Sequence, residues 1–68
     1  MKLELAQRAI LMEAKRYGGI DAINLEAIKA QESTCSELER AGLLRRDDYR
    51  PGRATWFLTY MGHQALLN

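Results

Sequence analysis

The second half of this chain is cut by glycine, proline and polar pairs into segments so short that a hairpin bracketed by helices is the natural solution. Glu37-Leu38-Glu39-Arg40-Ala41 reads as a helix end, and Gly42 supplies the left-handed residue favoured just beyond one. Residues 43–46 follow as a short strand. Asp47-Asp48-Tyr49-Arg50-Pro51-Gly52-Arg53 reads as a loop, with Pro51 and Gly52 at the second and third positions of a type II turn. Residues 54–59 are rich in Thr, Trp and Phe, which favour a pleated surface. Alternation places Trp56 and Leu58 on one face, taken as inward. Thr59 then caps a last helix, Tyr60–Leu67, with Ala65 and Leu66 packing back.

Upstream, residues 2–17 form an amphipathic helix. Leu3, Ala6, Ile10, Ala14 and Tyr17 recur at spacings of three or four and define its inward face, which Leu5, Ala9 and Met12 widen. Gly18-Gly19 ends it. Residues 20–23 are either a brief strand that joins the hairpin or the lead-in to a second helix. Asn24 is the expected N-cap of that helix over residues 25–31, with Leu25, Ile28 and Ala27 inward. Glu32-Ser33 reads as a turn. Ser33 or Thr34 caps the third helix, with Glu37 as a capping-box partner. It runs to Ala41 with Cys35 and Leu38 inward, and a start at Ala30 is the alternative. The predicted class is α+β, in the order helix, helix, helix, hairpin, helix.

At 68 residues the chain is one domain, residues 1–68. A domain of this size buries only about 60% of its unfolded surface. A single cysteine cannot form a disulfide within the chain, and no Cys/His cluster offers a metal site. Stability must come from helix packing or from a partner subunit. A hydrophobic content of 47% argues against disorder. No run of 18 apolar residues predicts a membrane span. The N-terminus lacks the basic-then-apolar pattern of a signal peptide, so the expected location is cytoplasmic.

Net charge is only +1, but it is unevenly spread. Residues 24–39 set Lys29 against Glu26, Glu32, Glu37 and Glu39, a net of −3. Residues 40–53 set Arg40, Arg45, Arg46, Arg50 and Arg53 against Asp47 and Asp48, a net of +3. Arginine makes forked bonds to phosphate and to guanine, which makes this cluster the leading functional feature. The competing reading is a solvated loop whose arginines pair with Asp47 and Asp48.

Two segments, Leu38-Glu39-Arg40-Ala41-Gly42-Leu43 and Leu58-Thr59-Tyr60-Met61-Gly62, resemble the winged helix-turn-helix domains of bacterial MarR-type and PadR-type regulators. The resemblance spans roughly residues 24–67. It implies a small winged helix-turn-helix with three helices, a β-hairpin wing and a short C-terminal helix. It also implies binding of double-stranded DNA, as a transcriptional regulator or accessory factor. Carried over, the groove-facing positions are Thr34, Ser36, Glu37 and Arg40, and the wing contacts are Arg46, Tyr49, Arg50 and Arg53. The chain departs from the pattern in its acidic third helix, and in ending one helix after the wing, without the long dimerisation helices of the MarR type.

Other features read more plainly. Cys35 is spaced to Leu38 as a small core hydrophobe, against a redox-switch reading. His63 has no carboxylate or second histidine beside it in sequence. No phosphate loop, metal-ligand spacing or matched nucleophile and histidine points to an enzyme, and no cofactor is expected. The broad apolar face of the first helix leaves a homodimer seam and simple core packing both open. The alternative to DNA binding is a protein–protein interaction module, adaptor or inhibitor, whose protein partner carries either a surface complementary to Glu26, Glu32, Glu37 and Glu39 or an apolar groove facing the first helix.

Overall fold

The computed structural model describes residues 2–50 and 53–67, with Tyr49 and Arg50 described as strand backbone. The turn expected at Pro51-Gly52 lies outside the described residues. The chain is α+β, and its order is α1 (Leu5–Tyr17), α2 (Ala22–Ala27), α3 (Glu32–Arg40), β1 (Leu44–Arg50), β2 (Arg53–Leu58) and α4 (Tyr60–Leu67). That is the predicted sequence of helices around one antiparallel hairpin. Among the described residues, no helix is long and apolar enough to cross a membrane.

The first helix begins later than predicted and turns a different face inward. Gln7 accepts a hydrogen bond from the Glu4 backbone N–H at 3.0 Å, which starts the helix at Leu5 and gives the buried Gln7 side chain its partner. The buried positions are Gln7, Ile10, Leu11 and Ala14, an i, i+3, i+4, i+7 stripe. Ile10 and Ala14 were expected there. Ala6 and Tyr17 were also expected inward but are exposed, as are Leu5, Ala9 and Met12. Apolar residues surround most of this helix, so periodicity alone admits several faces; Leu11 decides the choice by packing fully into the core.

Beyond Gly18, Ile20 exchanges two backbone hydrogen bonds with Trp56, at 2.9 and 2.8 Å, and so adds one rung to the free edge of β2. Asp21 follows at once as the N-cap of α2. Its carboxylate accepts from the backbone of Ile23 and Asn24, while the Asn24 side chain accepts from the Asp21 N–H at 3.1 Å. Of the two open readings of residues 20–23, the lead-in to the second helix holds: Ile20 makes one isolated bridge rather than a strand, and Ala22 and Ile23 already lie inside α2. The cap is Asp21, however, and Asn24 is its reciprocal partner inside the helix. Leu25 is buried and Ile28 half-buried as expected, whereas Ala27 is exposed.

The chain reverses at Lys29, which takes a left-handed conformation (φ 56°), and the Ala30 N–H returns to the Leu25 carbonyl at 2.8 Å. Reversal here, not at Glu32-Ser33, frees those two residues to open α3. Its N-cap is Gln31, with no capping bond from Ser33, Thr34 or Glu37 of the kind expected. Cys35 and Leu38 are fully buried. Gly42, at φ 82°, closes the helix as predicted and sends its N–H to the Glu39 carbonyl.

The hairpin is longer than predicted. Leu44 pairs with Leu58, Arg45 with Phe57, Arg46 with Trp56 and Asp47 with Thr55, before a bulge between Asp47 and Arg50. Aspartate disfavours strands, but here cross-strand pairing outweighs that weak preference. Trp56 is buried and Leu58 half-buried on the inner face, as expected. Thr59 then ties the two glycine-punctuated segments together. Its hydroxyl donates to the Gly42 carbonyl at 2.7 Å and accepts from the Gly62 N–H at 3.0 Å. Ala65 and Leu66 pack against a core of Ile10, Leu11, Ala14, Ile20, Leu25, Cys35, Leu38, Leu43, Leu44 and Trp56.

Candidate nucleic-acid interface

An open cleft of about 400 Å³ lies between the first turns of α3 and the inner face of the hairpin, lined by Glu32, Ser36, Arg46, Asp48, Arg53, Ala54 and Trp56. Its walls follow from two periodicities. Glu32, Ser36 and Arg40 stand four residues apart, which makes one ridge along α3. Leu44, Arg46 and Asp48 alternate with Arg45 and Asp47 along β1, which puts Arg46 and Asp48 on the side of the buried Leu44.

Of the positions expected to bind, the structure brings Ser36, Arg46 and Arg53 into this one cleft. Arg40 is exposed one turn beyond Ser36 on the same ridge. Glu37 is exposed, outside the cleft. Thr34 is half-buried and does not line it. Residues two apart on a helix point about 160° apart, so Thr34 and Ser36 cannot face one groove together. The side chains of Tyr49 and Arg50 lie outside the described residues. Glu32, Asp48 and Trp56 were missed as members of the site. Alternation would have found Asp48 had the strand been carried past residue 46, and Glu32 was hidden by its assignment to a turn.

The arginines are already engaged. Arg45 pairs with Asp47 at 3.2 Å, Arg46 with Asp48 at 3.1 Å, and Arg53 lies 3.9 Å from Asp21. The sequence left open whether these arginines pair with Asp47 and Asp48; for Arg45 and Arg46 they do. Each also covers its cross-strand aromatic neighbour, Arg45 over Phe57 (4.8 Å to the ring centre) and Arg46 over Trp56 (5.8 Å). Exposed ion pairs contribute about 0–1 kcal/mol and cation–π contacts about 0.5–1 kcal/mol. Both are weak enough for a phosphate to displace the carboxylate while the ring still positions the guanidinium. Among the described residues Arg40 makes no ion pair.

Cys35 behaves as core. Burial, and secondarily the Glu32 carboxylate, push its thiol from 9.0 up to about 11. The folded chain therefore keeps this proton where the unfolded chain has lost it. Stability from this group is intact below pH 9 and is lost as pH rises towards 11. Denaturant titrations should show an alkaline loss of stability that is smaller in Cys35→Ala. Equal losses in both proteins would show that Cys35 is not the titrating group. Thiol reagents should react with the native protein only as fast as it opens.

No group of three or more His, Cys, Asp or Glu residues among those described is arranged to hold a metal ion. Comparisons of the chain with protein-family models, with curated proteins and with solved structures give no match.

Proposed function

We propose that this chain is a small winged helix-turn-helix protein that binds double-stranded DNA, as a transcriptional regulator or accessory factor in the cytoplasm. One observation carries the reading: α3 and the hairpin flank a single cleft, to which the helix contributes Ser36 and the hairpin Arg46 and Arg53. In this reading α2 and α3 are the helix-turn-helix and β1–β2 is the wing. The ridge of α3 enters the major groove, where Arg40 can bond guanine O6 and N7, and Glu37 can accept from a cytosine amino group. Ser36, Arg46 and Arg53 hold the adjacent phosphodiester backbone, with Tyr49 and Arg50 further along the wing.

The test is a fluorescence-anisotropy titration of duplex DNA across a salt series. Binding should fall steeply with salt. Arg46→Ala combined with Arg53→Ala should weaken it and flatten the log–log salt slope by about 1.8, since each lost phosphate contact removes about 0.9. No affinity for duplex DNA at low salt would overturn the reading.

A second reading, a protein-interaction module on the same fold, is favoured by the acidic side chains of α3. Glu32, Glu37 and Glu39 are all exposed there, while the hairpin arginines are offset by their own aspartates. A protein partner for this surface would be basic. Co-purification with such a protein, together with absence of duplex binding, would select this reading.

A further inference from the structure

The first helix is apolar on two opposite faces. Ile10, Leu11 and Ala14 enter the core, yet Leu5 is 88% exposed and Met12 55% exposed, with the exposed Ala9 between them. At 100° per residue, Leu5, Ala9, Met12 and Arg16 form a stripe centred roughly opposite the buried one. A surface helix normally carries charges there. We propose that this outer face of α1 joins a second copy of the chain in an antiparallel pair, with Leu5 of each copy against Met12 of the other.

Three features select this occupant and this direction. Setting Leu5 against Met12 puts the two-fold axis between positions 8 and 9, beside the small Ala9, where two helices can approach closely. Glu4 and Lys15, eleven residues or about three turns apart, share one flank of the stripe. In an antiparallel pair each flank meets its own copy, so Glu4 of one chain falls within two residues of Lys15 of the other, twice per dimer. On the other flank position 13 is matched with position 4 of the other chain, so Glu13 falls within two residues of Ala6, with no like charge across. A parallel pair would press Arg16 against Arg16 within the seam and align the helix dipoles unfavourably. The antiparallel pair carries Arg16 past the other helix's first turn. Arg8, the remaining cation near the axis, donates to the Leu66 carbonyl at 3.5 Å, which draws it towards α4.

The seam is short compared with the roughly 800 Å² per partner of a standard interface, so the dimer is concentration-dependent. It does not depend on DNA binding. Were the chain also to bind DNA, the two-fold axis would make the site a palindrome.

Sedimentation equilibrium over a concentration series should show a monomer–dimer equilibrium. Leu5→Glu with Met12→Glu should leave only monomer with unchanged circular dichroism, because both side chains are exposed. Glu4→Lys should raise the dimer Kd roughly fivefold, and adding Lys15→Glu should restore it. Cross-linking reads the register. Ala9→Cys should form a disulfide with its own copy. Leu5→Cys should cross-link only when mixed with Met12→Cys, since two copies of position 5 lie about 10 Å apart along the axis, beyond disulfide reach. A monomer at every concentration would overturn the proposal. Efficient cross-linking of Leu5→Cys to itself would overturn the antiparallel arrangement.

Discussion

Trp56→Ala is expected to leave the chain largely unfolded at room temperature. Trp56 is 2% exposed and is the largest fully buried side chain, and it stands where four elements meet. Its backbone pairs with Arg46 on one side and with Ile20 on the other, and it belongs to one buried core with Ile10, Leu11 and Ala14 of α1, Leu25 of α2 and Cys35 and Leu38 of α3. Truncating a buried aromatic to alanine costs about 3–5 kcal/mol. A chain of this length has roughly 3–10 kcal/mol in total, at about 0.05–0.15 kcal/mol per residue. Far-ultraviolet circular dichroism and a urea titration would measure the effect. A cooperative transition with near-native stability would show that Trp56 is not the keystone. The conservative variant should behave differently. The indole N–H is buried without a hydrogen-bond partner among the described residues, so Trp56→Phe loses volume but no bond. It should cost far less than Trp56→Ala, because no other polar group is left unsatisfied.

Gly62→Ala is the second large effect, and its sign is diagnostic. Gly62 lies inside α4, where helix propensity alone predicts that alanine stabilises by about 1 kcal/mol. Packing predicts the reverse. A Cβ at this position would overlap the Leu43 carbonyl oxygen and stand 2.6 Å from Leu58 Cδ1. The carbonyl belongs to backbone already held at both ends: Leu43 O accepts from the Thr59 N–H, and the neighbouring Gly42 O accepts from the Thr59 hydroxyl. It cannot swing aside without breaking those bonds. Overpacking of this kind costs about 3 kcal/mol, which lowers Tm by roughly 12–24 °C in a domain this small. A thermal melt decides the matter, and a higher Tm would mean that α4 does not pack closely on the start of the hairpin.

The second half of the chain was the more legible one. Gly42, Trp56, Leu58, Thr59, Ala65 and Leu66 occupy the environments their chemistry implies, because caps, β-branched and aromatic runs, and glycine act locally. The first half was less legible wherever local signals tied. Asp21 and Asn24 are both good N-caps, and the winner was set by Ile20, whose pairing with Trp56 delivers the chain to Asp21. Lys29 carries no turn signature, yet it takes the left-handed conformation, so α3 starts earlier than its serine and threonine suggested. The candidate site was half legible. Arginine chemistry singled out Arg46 and Arg53, but the cleft also needs Asp48 and Glu32, placed by a strand longer and a helix earlier than predicted.

Residue chemistry alone determined the succession of helices and hairpin, the inward Cys35–Leu38 and Trp56–Leu58 pairs, and the concentration of arginine after residue 39. These rest on interactions between near neighbours. Tertiary structure alone decided which face of α1 is core. Leu5, Ala9 and Met12 are as apolar as Ile10 and Ala14, and hydrophobicity cannot rank two faces of one helix. The packing of Leu11 against the other helices and the hairpin does, and it leaves the second apolar face to solvent.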